Sequence, residues 1–266
     1  MIVLKNVIIT GSTRGVGFAM AKEFLKSGCN VTVCGRTRES LEKCKEKLKE
    51  YNSKTQFVQC DVTDKADIER LWFEAKEKWG NIDIWINNAG QNCPYEFVWD
   101  TEDNYVDKVI DTNIKGIIYG SKLAAKYMIK QGNGQIWNME GLGSDDMIVE
   151  KTILYGTSKR ALTYFTKALA KELAATSVKV GRLSPGMMLT DFITKSPEGE
   201  KSKAIEEGSF KKIFNILGDK PETVAEFFIP RILKNTKNNV HIQWLTKIKS
   251  TQRFMASAFN KRSLIE

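Results

Sequence analysis

Short apolar runs alternate with longer amphipathic segments along most of the chain. The apolar runs are near-continuous, as expected of parallel strands buried on both faces, and cover residues 6–10, 30–34, 56–60, 82–87, 135–139, 179–184 and 240–245. The amphipathic segments have helical spacing and cover residues 15–27, 38–51, 65–79, 103–130, 154–175 and 221–233. This alternation predicts right-handed βαβ units and an α/β fold with a doubly wound parallel sheet.

Two regions depart from this alternation of strands and helices. Residues 187–218 form a long connection after the sixth strand that is rich in Met and Phe, and such connections in compact domains are usually lids or substrate loops. Residues 246–266 form a basic amphipathic tail, for which two placements are open: on a membrane surface, or packed on its own domain or a partner subunit. We therefore predict a single domain over residues 1–245, with a lid at 187–218, followed by the tail.

Composition places the chain among globular proteins with a real core. Of its 266 residues, 42% are hydrophobic and 27% are charged. No apolar run reaches the roughly 18 residues expected of a membrane span. The N-terminus enters a strand-like run directly, without the pattern of a signal or transit peptide, which predicts a cytoplasmic location. Five cysteines without a CxxC pair predict reduced thiols.

Charge and histidine content exclude several function classes. The net charge is +9, but the basic residues are scattered among acidic ones, so we expect no nucleic-acid partner. His241 is the only histidine, which makes a histidine-rich metal site impossible and allows a Ser-His-Asp hydrolase only if His241 is its base. We interpret His241 as a strand residue and predict no metal.

A glycine-rich turn separates the first strand from the first helix. In that context such a motif indicates a dinucleotide, because glycines let the backbone approach a pyrophosphate and the helix N-terminus supplies amide hydrogens. The spacing Gly-x-x-x-Gly-x-Gly differs from the Rossmann Gly-x-Gly-x-x-Gly. The candidate cofactor-binding residues of this turn are Gly11, Ser12, Thr13, Arg14, Gly15, Val16 and Gly17.

Tyr155 and Lys159 stand four residues apart in a helical segment, and therefore on one helix face. A nearby cation favours a phenolate, so we expect Lys159 to lower the pKa of Tyr155 toward the working pH. A phenol tuned for proton transfer, together with a turn that can hold a pyrophosphate, suggests hydride chemistry at a carbon that bears an oxygen.

Five motifs occur in the order typical of the short-chain dehydrogenase/reductase family. They are Thr10-Gly11-x-x-x-Gly15-x-Gly17, Asn87-Asn88-Ala89-Gly90, Asn113, Tyr155-x-x-x-Lys159 and Pro185-Gly186. The chain resembles this family over about residues 4–235. The resemblance implies a Rossmann-type sheet of seven parallel strands flanked by helices, and a homo-oligomer formed through the helices of residues 103–130 and 154–175.

The end of the second strand indicates which dinucleotide binds. An acidic residue there would hold the ribose hydroxyls of NAD, whereas this chain has Cys34-Gly35-Arg36, with Arg14 in the glycine turn. Two guanidiniums can clasp a 2′-phosphate, so we predict NADP(H) rather than NAD(H). By resemblance, the remaining cofactor contacts are Asp61, Val62, Asn88, Ala89, Gly90, Tyr155, Lys159, Pro185, Gly186, Met188 and Thr190.

The resemblance also assigns catalytic roles. Tyr155 would be the general acid in carbonyl reduction and the base in alcohol oxidation. Lys159 would depress the pKa of Tyr155 and bind the nicotinamide ribose, and Asn113 would support a proton-relay water. The family's substrate-binding serine is missing, because Gly141 stands where its hydroxyl should be. Ser144, eleven residues before Tyr155, is the candidate replacement, and the alternative is that the role is vacant.

A narrower resemblance indicates the substrate class. Residues 138–145 are similar to the corresponding segment of chlorophyll b reductases, a branch of the family that acts on a formyl group of a large flat tetrapyrrole. From this resemblance we expect the substrate of this chain to be a bulky, apolar, rigid ring system. Hydroxysteroids are such substrates, and the Met- and Phe-rich lid suits them, so we predict an NADP-dependent hydroxysteroid dehydrogenase of the bile-acid type. The alternatives are a chlorophyll b reductase-like carbonyl reductase and an NADP-binding sensor without turnover.

Overall fold

A sheet of seven parallel strands forms the centre of the computed structural model, which describes residues 4–259 and 262–265. The strands are β1 (Asn6–Ile9), β2 (Asn30–Gly35), β3 (Thr55–Gln59), β4 (Ile84–Asn87), β5 (Gly134–Met139), β6 (Val178–Ser184) and β7 (Val240–Gln243). Their order across the sheet is β3-β2-β1-β4-β5-β6-β7, and every pairing is parallel. The prediction of a doubly wound, seven-stranded sheet is confirmed.

Helices connect the strands and cover both faces of the sheet. They are α1 (Gly15–Lys26), α2 (Arg38–Lys47), α3 (Lys65–Trp79), α4 (Asp103–Ile110), α5 (Gly116–Gln131), α6 (Ile153–Glu172), α7 (Asp191–Thr194), α8 (Lys203–Glu206), α9 (Gly208–Leu217), α10 (Pro221–Leu233) and α11 (Lys247–Ala256). One hydrophobic core lies between the sheet and α1, α2 and α10. A second core lies between the opposite face and α3, α5 and α6.

Strand β1 shows why the strand sequences are continuously apolar. Val7 and Ile9 enter the core beneath α1 and α10, whereas Ile8 enters the opposite core. All three side chains are fully buried. A parallel strand with a helical layer on each face has no solvent side, so its sequence does not alternate between apolar and polar residues.

The helix predicted over residues 103–130 contains a π-helical turn that the sequence did not reveal. α4 ends at Ile110, Asp111–Lys115 form the π turn, and α5 begins at Gly116. Such turns insert one residue into the helical repeat and are frequent at functional sites. Here the π turn contains Asn113, which is fully buried.

The lid of residues 187–218 has secondary structure of its own, namely the short helices α7, α8 and α9. Its two ends are joined, because Met188 and Asp219 form a parallel bridge. Leu189 N donates to Asp219 O over 2.9 Å, and Asp219 N donates to Met187 O over 3.0 Å. The lid is therefore a closed loop anchored at the carboxyl end of β6.

The described part of the tail packs on its own domain, at the end of the lid. Arg253 of α11 donates to the buried Asp219 carboxylate through Nη1 and Nη2, over 2.6 and 3.0 Å. Arg262 and Trp244 donate to the same carboxylate over 3.1 and 2.6 Å. Burial alone would raise the pKa of Asp219, but the hydrogen bonds outweigh burial and lower the pKa. Residues 260, 261 and 266 lie outside the described residues.

Within the described residues, every helix is too short or too polar to cross a membrane.

Candidate active site

The glycine turn lies where the strand order reverses, between β1 and β4. Gly11 and Gly15 have φ angles of 60° and 58°, a left-handed conformation that favours glycine. A Cβ atom on Gly11 would lie 2.8 Å from Cα of Ala89, so the loop after β4 packs directly on the turn. Open α/β sheets bind ligands in this crevice, at the carboxyl ends of their strands.

Asn88 and Thr10 fasten the turn to the loop after β4. Asn88 Nδ2 donates to the Thr10 and Gly11 carbonyls, each over 3.0 Å. Thr10 Oγ1 accepts from Asn88 N over 2.9 Å and from Ala89 N over 3.0 Å. The side chain of Asn88 therefore holds the shape of the crevice, and contacts of this loop with a cofactor stay a prediction.

The N-terminus of α1 opens onto the same crevice. The helix begins at Gly15 after the extended Arg14, without a side-chain cap and without an acidic residue in its first turn. The first amides of a helix have no intrahelical acceptor, so this end suits an anionic group. Ser12 is fully buried below it, where Oγ donates to Ile9 O over 2.6 Å and accepts from Cys34 N over 3.0 Å.

Arg14 and Arg36 lie on two turns that touch each other. A Cβ atom on Gly35, which precedes Arg36, would lie 2.6 Å from Cγ2 of Thr13, which precedes Arg14. Both arginines are exposed, and neither forms an ion pair with a carboxylate of the described residues. Two unpaired cations at one edge of the crevice can receive an anionic group of a ligand.

Asp61 and Val62 follow β3 at the same edge of the sheet. Asp61 Oδ1 accepts from the amide and hydroxyl of Thr63, over 3.0 and 2.8 Å. Val62 is buried against Gly116, where an added Cβ atom would lie 3.0 Å from Val62 Cγ2. Both residues lie at the carboxyl edge of the sheet, and their contact with adenine stays a prediction.

Tyr155 and Lys159 face the carboxyl end of β5 from α6. Lys159 is buried, its Nζ donates to Met139 O over 3.0 Å, and the same nitrogen lies 5.6 Å from the centre of the Tyr155 ring. The Tyr155 hydroxyl lies against Gly141, where a Cβ atom would overlap the phenolic oxygen. The phenol and the ammonium therefore converge at the edge of the sheet that holds the glycine turn.

The pKa of Tyr155 contradicts the sequence prediction. Burial raises the pKa of this phenol above its ordinary value, and the nearby Cys93 thiol adds to the increase. Burial also lowers the pKa of Lys159 to about 8, although the charge of Glu140 acts to raise it. The predicted net decrease in the pKa of Tyr155 is wrong for this arrangement, because desolvation of the phenol dominates over the charge of Lys159, whose ammonium is directed to a backbone carbonyl.

Asn113 joins the loop after β4 to the catalytic helix. Its Oδ1 accepts from Gln91 N over 2.7 Å, and its Nδ2 donates to Gln91 O and to Ser158 Oγ, each over 3.0 Å. Ser158 directly precedes Lys159 on α6. Both protons of Asn113 Nδ2 are used in these hydrogen bonds, and the role of Asn113 beside a relay water stays a prediction.

Ser144 uses its hydroxyl on backbone groups. Its Oγ accepts from Gly141 N over 3.2 Å and donates to Lys159 O over 3.4 Å, and the side chain is buried. A hydroxyl has one proton, and here that proton points to the backbone of α6 and not to a substrate oxygen. Ser144 as the replacement for the family's serine stays a prediction that this geometry does not support.

The lid covers Tyr155 through Phe192 of α7. The two ring centres are 5.6 Å apart, and Asn92 Nδ2 holds Phe192 O over 2.7 Å. Thr190 packs on the glycine turn, since its Cγ2 would lie 3.6 Å from a Cβ atom on Gly15. The remaining predicted cofactor contacts at the start of the lid are Pro185, Gly186 and Met188. The lid thus closes over both the phenol and the crevice.

Glu207 ties the lid to two further loops, and sequence reasoning missed it. It lies between α8 and α9, where Oε2 accepts from Tyr95 Oη over 3.0 Å and Oε1 accepts from Lys151 Nζ over 3.1 Å. Tyr95 belongs to the loop after β4, and Lys151 lies two residues before the start of α6. Nothing local in the sequence pairs these three residues, because they are brought together only by the path of the lid.

Comparison with known proteins agrees with this site. The profile of the family described as short chain dehydrogenase matches residues 5–201. A chloroplastic chlorophyll(ide) b reductase of Arabidopsis thaliana is 35% identical over 97% of this chain and 75% of its own length. A 3alpha-hydroxysteroid dehydrogenase of Mediterraneibacter gnavus is 32% identical over 73% of this chain and 79% of its own length.

A solved structure shows the same fold. ElxO with NADP bound superimposes with a TM-score of 0.77 at 29% identity, over 91% of this chain and 97% of that protein. The family match covers the glycine turn, the tyrosine and lysine pair and the first part of the lid. On these grounds, the chain belongs to the short-chain dehydrogenase/reductase family.

Proposed function

We propose that this chain is an NADP(H)-dependent oxidoreductase that interconverts a secondary alcohol and a ketone on a bulky apolar ring substrate. The observation that carries the proposal is the convergence of the Tyr155 hydroxyl and the buried Lys159 ammonium beside the glycine crevice. Family membership supports the reaction class, and ElxO with NADP bound supports the cofactor. We also expect a cytoplasmic homo-oligomer, as the sequence predicts.

The cofactor fits the residues that border the crevice. The N-terminus of α1 suits the pyrophosphate, and Arg14 and Arg36 suit the 2′-phosphate. NADPH supplies a hydride to the carbonyl carbon when it is bound. Tyr155 donates its phenolic proton to the carbonyl oxygen, so the carbonyl becomes an alcohol. Lys159, as an ammonium, stabilises the phenolate that Tyr155 becomes.

Replacing Arg36 with Asp should convert the cofactor preference. The change removes a charge-assisted hydrogen bond worth about 1.5–3 kcal/mol, so NADPH binding should weaken by roughly 10- to 100-fold. NADH binding should change little, because NADH has no 2′-phosphate. Titration of both cofactors by fluorescence measures the two dissociation constants. The matched control is Lys45→Asp, an equal change of charge at an exposed position of the following helix. Equal weakening of NADPH and NADH would show that Arg36 does not contact the 2′-phosphate.

The substrate class is supported by exposed apolar side chains on the loops after β4 and β5. Phe97 and Trp99 stack in parallel after β4, with ring centres 4.7 Å apart, and Trp99 is 75% exposed. Exposed apolar residues also follow β5 and begin α6: Met147, Ile148, Val149 and Ile153. Exposed apolar patches of this kind favour binding of an apolar partner or ligand. A hydroxysteroid of the bile-acid type is our first candidate.

Chlorophyll b reductase-like reduction of a formyl group is the second candidate. It is favoured by the 35% identity to the Arabidopsis chlorophyll(ide) b reductase across 97% of this chain. Gly141 also favours it, because this glycine lies within residues 138–145, the segment that is similar to the corresponding segment of chlorophyll b reductases.

Consumption of NADPH with a panel of carbonyl compounds tests the proposal. The panel contains a steroid ketone, a formyl-bearing porphyrin and cyclohexanone, and product identity is checked by mass spectrometry. We expect the bulky compounds to react at least about tenfold faster than cyclohexanone, since each methylene group missing from an apolar pocket costs about 1–3 kcal/mol. Preference for cyclohexanone would contradict the substrate class. Saturable NADPH binding without turnover of any compound would instead favour the sensor.

A further inference from the structure

Glu140 is a buried carboxylate that directly follows β5. It is 3% exposed, and donors from three elements surround it. Oε1 accepts from Thr163 Oγ1 over 2.8 Å and lies 3.4 Å from Arg182 Nη1. Oε2 accepts from Ser184 Oγ over 2.5 Å and lies 3.1 Å from His241 Nε2. With both oxygens occupied, Glu140 is not free to bind polar groups of a substrate.

The environment of Glu140 keeps the carboxylate ionised. Burial alone would raise the pKa of Glu140, but hydrogen bonds from His241, Ser184 and Thr163 outweigh burial and lower the pKa to about 2. A carboxylate in this setting is a fixed negative charge throughout the physiological pH range.

Glu140 is connected to Lys159 in two ways. It directly follows Met139, whose carbonyl accepts from Lys159 Nζ over 3.0 Å. It also accepts a hydrogen bond from Thr163, which lies one helical turn after Lys159 on α6. The same carboxylate therefore fastens the turn of α6 that carries the lysine to the strand end that receives its ammonium.

We propose that Glu140 is a positioning residue for Lys159: it fixes the turn from Lys159 to Thr163 against the end of β5 and supplies the buried negative charge that keeps the ammonium charged. The inference rests on the proposed function, in which Lys159 serves Tyr155. The charged and titratable groups around this pair are Arg182 on β6, His241 on β7 and Tyr155 on α6. Of the described carboxylates, Glu140 is the one whose charge raises the pKa of Lys159.

The charge of the lysine sets a pH limit for catalysis. Burial lowers the pKa of Lys159 to about 8, and the Glu140 charge opposes this decrease. The ammonium is present below that pKa and is lost as the pH rises through it. Removing the Glu140 charge should lower the pKa further, so the alkaline limb of kcat/KM should move to lower pH.

The test is the pKa of Lys159 measured by NMR in full-length protein with 13C-labelled lysine side chains. The signal is assigned with Lys159→Arg. In Glu140→Gln we expect the pKa to fall by about one unit, the lower end of the effect of a nearby opposite charge. Thr163→Val is the matched control, because it removes one hydrogen bond to the carboxylate and keeps its charge. Its Lys159 pKa should stay at the wild-type value.

The outcomes separate this inference from the proposed function. An unchanged Lys159 pKa in Glu140→Gln, or an equal decrease in Thr163→Val, would overturn the role of the charge. The NMR titration needs no turnover, so an inactive wild-type protein would refute the proposed function and not this inference. If Glu140→Gln does not fold, the double variant Glu140→Gln/Arg182→Gln decides, because it leaves no buried Arg182 cation without its carboxylate. Its Lys159 pKa should still fall, and an unchanged pKa would contradict the proposal.

Discussion

Replacing Tyr155 with Phe is expected to remove most turnover and to leave the fold and NADPH binding intact. The phenolic hydroxyl is the proton donor for the carbonyl oxygen, and general acid–base groups contribute about 10²–10⁴-fold to rate. Phe keeps the ring that packs 5.6 Å from the Phe192 ring, so the lid keeps its contact. The measurements are kcat for the best carbonyl substrate and the dissociation constant of NADPH.

Tyr164→Phe is the matched control for this substitution. Tyr164 lies on the same helix, α6, and is 79% exposed, so its hydroxyl faces solvent. The control loses the same atom and should keep wild-type kcat. Activity of Tyr155→Phe within a few-fold of wild type would remove Tyr155 as the acid. The crevice would then still be a cofactor-binding site, and another group would have to donate the proton.

The fold could be predicted from the sequence because a parallel sheet leaves a strong pattern. Strands such as β1 serve two cores at once, so their sequences are apolar throughout, and the intervening helices each show one apolar face. The π turn could not be predicted in this way. Its extra residue rotates the following helical face by less than one turn. The apolar residues therefore keep a roughly helical spacing across the π turn.

The candidate site was predictable where the motif is local and not where it depends on loops. Tyr155, Lys159 and the glycine turn are fixed by a helix and a strand-to-helix junction, and the structure brings them to one edge of the sheet. The direction of the Tyr155 pKa was predicted wrongly, because spacing along a helix gives proximity but not burial. The partners of Glu140 come from α6, β6 and β7, and no sequence spacing connects them.

The surroundings of Gly141 give a structural reason why the family's serine is missing. The phenolic oxygen of Tyr155 occupies the space that any side chain at position 141 would need. The absence of a serine there is therefore coupled to the position of the catalytic hydroxyl. In this chain the tyrosine stands closer to the strand end than a serine at 141 would permit, and the substrate oxygen has one hydroxyl fewer to bind.

Replacing Gly141 with Ala is expected to lower kcat/KM by about 100-fold, because the new methyl group pushes the Tyr155 hydroxyl aside and a misplacement of about 1 Å costs this much. Gly141 does not have a positive φ angle, so Ala adds no backbone strain. Gly141→Ser should lose a similar amount, since it adds the same Cβ atom. Steady-state kinetics with NADPH and thermal denaturation measure activity and stability separately.

Gly156→Ala is the matched control for both substitutions. Gly156 adjoins Tyr155 on α6, and the nearest heavy atom to an added Cβ atom there is 3.9 Å away. Ala in this helix should raise stability by up to about 1 kcal/mol and leave kcat/KM unchanged. Higher activity in Gly141→Ser than in wild type would show the opposite of our expectation. In that case Tyr155 leaves room for a serine at position 141 during catalysis. The serine would then be missing from this chain for a reason other than a clash with the tyrosine.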